Sequence, residues 1–93
     1  MTVGLLQLEL SIPASRSLKG KRRVLKSIKD RARSKFNVSI AEVDEQDAWD
    51  RSVLAVCCVS NDVRRCNEVL SKVVNLVESD RESELLEYHI EML

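Results

Sequence analysis

The sequence predicts an α+β sandwich laid out as strand, helix, strand, strand, helix, strand. Three observations predict it. The stretch "VGLLQLELSI" alternates, with Leu6, Leu8, Leu10 and Ile12 on one face and Gln7, Glu9 and Ser11 on the other, which is the period of a strand buried on one side. Two longer stretches repeat apolar residues at helical spacing: Leu18, Leu25, Ile28, Ala32 and Phe36 with Val24 at the margin, then Val63, Cys66, Leu70, Val73 and Val77. The run "VLAVCCV" is apolar on both faces, as a central strand would be.

Taken in order, Pro13 ends the first strand because it has no N–H for a ladder. Ser17 is placed to cap the first helix, although Gly20 stands where a capping box would put Glu. "FNVSIAEV" reads as a second strand with Val38 and Ile40 on one face, and the polar run "DEQDAWDRS" as the turn into the third. "SND" offers a helix start with Ser60 or Asn61 as cap. In the fourth strand Leu86, Tyr88, Ile90 and Met92 alternate with Glu87, His89 and Glu91, which places Tyr88 inward. Right-handed crossovers convert this order into a ferredoxin-like split βαβ sandwich, a four-stranded antiparallel sheet ordered 4-1-3-2 with both helices on one face. Residues 1–93 are expected to form a single domain, without linkers or repeats.

A composition of 44% hydrophobic residues with two Gly and one Pro fits a folded domain that needs neither metal nor disulfide. No apolar run reaches membrane-spanning length, and residues 1–12 lack a basic start and a cleavage site, so a cytoplasmic protein is expected. Cys57, Cys58 and Cys66 are odd in number, and the first two are neighbours on a strand that face opposite ways. With His89 the only histidine, they read as small buried hydrophobes rather than zinc ligands, and no cofactor is expected.

Charge is unevenly placed. The stretch "RSLKGKRRVLKSIKDRARSK", residues 16–35, carries ten of the fifteen Lys and Arg residues and one acid, Asp30, while residues 36–93 carry a net charge of −8. The topology brings Arg16, Lys19, Lys21, Arg22 and Arg23 to the same end as two acidic connections, one holding Asp44, Glu45, Asp47 and Asp50 and the other Glu78, Asp80, Glu82 and Glu84. Cations in a first helical turn oppose the macrodipole, so this end is expected to be neutralised internally. Lys21 falls inside the apolar stripe and is expected to snorkel towards Glu42 and Asp47. Further along, Arg22, Lys26, Lys29 and Arg33 line one shoulder of the helix with Lys19 and Arg23 just beyond, and only Asp30 interrupts them. A solvated face would usually intersperse acids at i,i+4, so these later turns point to an outside polyanion, each cation releasing counterions from a phosphate backbone.

The combination of "SLKxKR" at Ser17 to Arg22, "KFNVSIAEV" at Lys35 to Val43 and "QDxW" at Gln46 to Trp49 resembles the YlxP-like family of small bacterial proteins, over essentially the whole chain. The resemblance implies a ferredoxin-like sandwich. It also implies an RNA- or ribosome-linked role, because the family's genes often lie beside those of translation initiation and ribosome maturation factors. It transfers no activity to any residue. The chain departs from the family at Gly20, where an acid is usual, which leaves the first helical turn more positive.

The expected function is therefore a non-enzymatic RNA- or ribosome-associated protein, with Lys19, Arg22, Arg23, Lys26, Lys29 and Arg33 on phosphates and Trp49 available to stack. Strands 1 and 3 hold no aromatic residue, which argues against the base-stacking sheet of RNA-recognition domains. The alternative is a protein-interaction or ligand-sensing module, including self-association through the open sheet face of Leu5, Gln7, Glu9, Ala55, Cys57 and Val59. Catalysis ranks last. Acylphosphatases share this fold but cradle phosphate in a glycine-containing loop, and "PASRS" has no glycine. A charged cluster of Arg16, Lys21, Glu42 and Asp47 is the remaining candidate site.

Overall fold

A computed structural model describes all residues, Met1–Leu93. The chain runs β1 (Thr2–Ser11), α1 (Leu18–Lys35), β2 (Ser39–Asp44), β3 (Arg51–Ser60), α2 (Val63–Glu78) and β4 (Glu84–Met92). The sheet is antiparallel in the order β2-β3-β1-β4, which is the expected 4-1-3-2 read from the other edge. One cluster of 19 buried residues fills the space between sheet and helices. Leu6, Leu8 and Leu10 of β1 and Leu54, Val56 and Cys58 of β3 meet Leu25, Ile28 and Ala32 of α1 and Cys66, Leu70, Val73 and Val77 of α2. Each large side chain buried here contributes about 1.5–3 kcal/mol.

Ser17 caps α1 as its position implies, its Oγ accepting from the Gly20 N–H at 3.0 Å. The cap of α2 is Asp62 rather than Ser60 or Asn61, its Oδ1 accepting from the Arg64 N–H at 2.9 Å. Ser60 acts one step earlier, accepting from the Asp62 N–H at 3.1 Å. The second strand starts later than its apolar residues suggest, because Phe36 forms the C-cap of α1.

Two bulges alter the expected faces. Between Glu42 and Asp44 the register against β3 shifts, so Val43 is the extra residue of β2. Between Leu10 and Glu9 the register against β4 shifts, so Leu85 pairs with Leu10 and Leu86 is extra. Leu85 therefore packs on the core and Leu86 is exposed. Tyr88 pairs with Leu8 on the helix side but is 51% exposed. This corrects the expectation of a core tyrosine. The alternation is right, but β4 is an edge strand that the helices only partly cover.

Gly4 sits where β1 passes under α2, and a Cβ there would lie 2.8 Å from Leu70 Cδ1 and 3.0 Å from Cys66 Sγ. Gly4→Val is expected to lose about 1–3 kcal/mol through overpacking, measured as a lower urea midpoint with an unchanged slope.

Candidate functional site

The N-terminal end of α1 is organised around Lys21, whose side chain is 1% exposed. Its ammonium donates to Glu42 Oε2 at 2.9 Å and to the carbonyls of Glu45, Gln46 and Arg51 at 2.8, 3.3 and 3.2 Å. Three protons thus serve four acceptors, and at least one bond is shared. Glu42 Oε2 also accepts from the buried Ser52 hydroxyl at 2.7 Å. Glu45 holds the one positive φ of a non-glycine residue, 61°, a conformation that costs about 1–2 kcal/mol. Two contacts hold it there: Asp44 Oδ1 accepts from its N–H at 2.8 Å, and its carbonyl receives Lys21.

Lys21 therefore turns towards the loop as expected and reaches Glu42, but Asp47 remains exposed and outside the cluster. Arg16 is exposed and has no carboxylate within ion-pair distance. The four residues of the expected charged cluster are thus one pair, Lys21 with Glu42, and two separate surface charges. Trp49 sits on the same loop and is 47% exposed.

The remaining cations of α1 divide differently from the expected split between early and late turns. In the early turns Arg23 meets Glu82 at 3.0 Å, a pair open to solvent, while Lys19 and Arg22 have no carboxylate partner. In the later turns Lys26 donates to Asp30 Oδ2 at 2.7 Å, and Arg33 lies 4.0 Å from the other Asp30 oxygen. Hydrogen bonding from Lys26, then the charges of Lys26, Arg33 and Lys29, hold the Asp30 carboxyl below its ordinary range. Arg33 Nη2 also donates to the Ile40 carbonyl on β2 at 2.8 Å. Lys29 carries no ion pair. Lys19, Arg22, Lys26, Lys29 and Arg33 share the shoulder of α1 that looks towards the β2 edge, since Arg33 reaches β2 from it. Asp30 is the only acid among them.

Sequence reasoning missed Arg31, which pairs with Asp80 at 2.6 Å on the opposite flank of α1. Asp80 is mostly buried and also accepts from the Glu82 N–H and the Ser83 hydroxyl. A signal existed in "SDRES", where an Asp two residues before an N–H donor has the spacing of a side-chain turn. Cys58 and Cys66 behave as the expected small buried hydrophobes on the helix side, whereas Cys57 is only half-buried; the Cys66 thiol donates to the Cys58 carbonyl at 3.2 Å. Burial first, and the neighbouring Cys66 second, push the Cys58 thiol up. Cys57 faces the other side of the sheet.

The fold and the basic shoulder define a ferredoxin-like α+β sandwich with one strongly cationic helix. The chain belongs to the family described as "Protein of unknown function (DUF503)", which matches residues 3–90. It is 38% identical over 82 residues to the protein of Bacillus subtilis (strain 168) called "Uncharacterized protein YlxP", spanning 88% of this chain and 89% of that one. The YlxP-like resemblance of the motifs is thereby shown. Among solved structures, the de novo designed protein Foldit4 superposes with a TM-score of 0.57 at 11% identity, covering 100% of this chain and 97% of that one. A C-terminal segment of the alpha subunit of aIF2 from Pyrococcus abyssi gives 0.53 at 16% identity, covering 100% of this chain and 49% of that one. At these identities both show the fold alone.

Lys21→Met would remove the ammonium from three carbonyls and from Glu42, which would keep only the Ser52 hydroxyl. The expected loss is about 3–5 kcal/mol, the range for breaking a buried pair from one side. Chemical denaturation checks the magnitude, and the emission of Trp49, the only tryptophan, is expected to shift red as its loop loosens.

Proposed function

We propose that this protein is a non-enzymatic binding protein that docks RNA, free or in ribosomal particles, along the basic shoulder of α1. One observation carries the reading: Lys19, Arg22 and Lys29 present charges with no carboxylate partner on the same shoulder as Lys26 and Arg33. From Lys19 to Arg33 the helix rises about 21 Å, a length over which a nucleic-acid strand offers several phosphates. Such contacts bind and orient without reading bases. The family's gene neighbourhood supports RNA over other polyanions, and Trp49, exposed on the loop at the N-terminal end of α1, is an aromatic that can stack on an unpaired base.

A binding role also suits the loop after β1. There the Ser15 N–H donates to the Ile12 carbonyl and the Ser15 hydroxyl to the Ser17 carbonyl, so neither is aimed outward as in a phosphate cradle. A cytoplasmic setting goes with this reading, and no helix is long and apolar enough to cross a membrane.

Fluorescence anisotropy with a structured RNA hairpin tests it. The expected log–log slope of affinity against salt is about −3 to −5, one counterion set per cation engaged. Lys26→Glu, Lys29→Glu and Arg33→Glu together are expected to weaken binding at least tenfold at low salt. Absence of binding at low salt, or a salt-independent signal, overturns the proposal.

Asp30 gives a test in the opposite direction. Asp30→Asn removes the charge that Lys26 and Arg33 now share. RNA affinity is expected to rise severalfold and the salt slope to steepen by about one. An unchanged affinity means that this pair of cations does not meet the RNA.

A further inference from the structure

The two edges of the sheet are not equally protected. β2 is six residues long, is bulged at Val43, and has Arg33 seated on the outward carbonyl of Ile40. These are the devices by which proteins blunt an edge. β4 is nine residues long and contains neither Pro nor Lys, and beyond the bulge at Leu86 its pairing with β1 is regular to Met92.

Hydrogen-bond phase fixes what this edge offers. Leu93 N–H donates to the Val3 carbonyl at 2.8 Å. In the antiparallel register Leu5↔Glu91, Gln7↔His89 and Glu9↔Glu87, those residues are then the pairs that bond to each other. The N–H and C=O groups of Tyr88, Ile90 and Met92 consequently point away from β1, along the open edge. The side chains of these three lie on the helix side opposite Leu8, Leu6 and Gly4, and all three keep exposed surface. Glu87, His89 and Glu91 lie on the other face and are exposed.

We propose that β4 pairs with β4 of a second copy of this chain, antiparallel about a two-fold axis at Ile90. The register follows from charge. With Ile90 facing Ile90, Tyr88 of each copy faces Met92 of the other, and His89 of each faces Glu91 of the other. Three bonded pairs close across the axis, each contributing two backbone hydrogen bonds. A ring edge meets a thioether on the helix side, and an imidazole meets a carboxylate on the open side, both favourable cross-strand partners. Slipping one strand by two residues sets Glu87 against Glu91 in one direction and Glu91 against Glu91 in the other, which like-charge repulsion disfavours. Slipping by four brings Ile90 onto the bulge at Leu86. The product is a closed dimer with one eight-stranded sheet, β2 at both outer edges and the basic shoulders of both α1 helices left free.

Sedimentation equilibrium up to about 1 mM protein tests the association, and hydrogen exchange followed by NMR tests its place. The expected result is a dimer in which the amides of Tyr88, Ile90 and Met92 gain protection as concentration rises, while those of Ile40 and Glu42 on the other edge do not. His89→Glu and Glu91→Lys, both at exposed positions, are each expected to weaken self-association at least tenfold while the dilute protein keeps its melting temperature within a few degrees. Mixing the two variants is expected to restore dimerisation as a heterodimer, because the introduced carboxylate of one then meets the introduced ammonium of the other. A monomer at all concentrations overturns the proposal. So does a dimer insensitive to both variants, which would place the contact on the open face around Val59, and so does a mixture that stays dissociated.

Discussion

The ammonium of Lys21 is the contact on which the arrangement at one end of this molecule depends. It sits in an otherwise apolar stripe of α1 and joins that helix to a β2 side chain and to backbone carbonyls of the following loop and of β3. A buried charge without partners would be costly, so the loop has to present its carbonyls inward, and Glu45 accepts a left-handed conformation to do so. The loop's acids are then turned outward, which is why Asp47 does not join the cluster. Lys21 is also the reason that the N-terminal turn of α1 can carry so many cations. One of them is withdrawn from the surface and neutralised, and the remainder are spaced around the helix.

Those remainders are arranged by flank. Arg23 and Arg31 meet Glu82 and Asp80 of the connection between α2 and β4, so one flank of α1 is tied to that connection by acids from late in the chain. The other flank has only Asp30, which lies within the helix itself and draws in Lys26 and Arg33. Exposed pairs of this kind contribute little to stability. Their effect is on where charge is available, and the flank beside β2 keeps most of it.

Much of the fold was legible because it rests on periodicity. The alternation in β1, the stripes of α1 and α2 and the two-sided apolar run of β3 each specify an element and its buried face. What was not legible involves a change of phase or a backbone partner. Val43 and Leu86 look like ordinary members of their strands, but each is the inserted residue of a bulge, and one inserted residue reverses every face beyond it. Tyr88 lies on the side its alternation implies and is still exposed, because burial on an edge strand depends on how far the helix layer extends. The position of Lys21 in the apolar stripe signalled an unusual lysine, and Glu42 was identifiable as a partner. The three carbonyls were not, since a carbonyl acceptor leaves no mark in residue type. The division of α1 by flank rather than by turn was hidden for a related reason: Arg31 and Asp80 are 49 positions apart, and only the docking of the α2–β4 connection brings them together.

The contrast between the sheet edges has the same origin as the contrast between the flanks of α1. Right-handed crossovers place β2 beside the cationic flank, and Arg33 can close the Ile40 carbonyl only because that flank is basic. β4 lies at the other end of the sheet, flanked by α2, whose Arg65 and Lys72 are drawn to Glu68 of the same helix, and no side chain from α2 donates to the outward carbonyls of Tyr88, Ile90 or Met92. Both helices bury an apolar side and carry long cations, but only α1 sets one of them, Arg33, on an edge carbonyl. Charge segregation in the sequence thus does two things at once: it sets a cationic surface along α1, and it leaves the strand furthest from that surface with unpaired backbone groups. The two surfaces lie at opposite edges of the sheet.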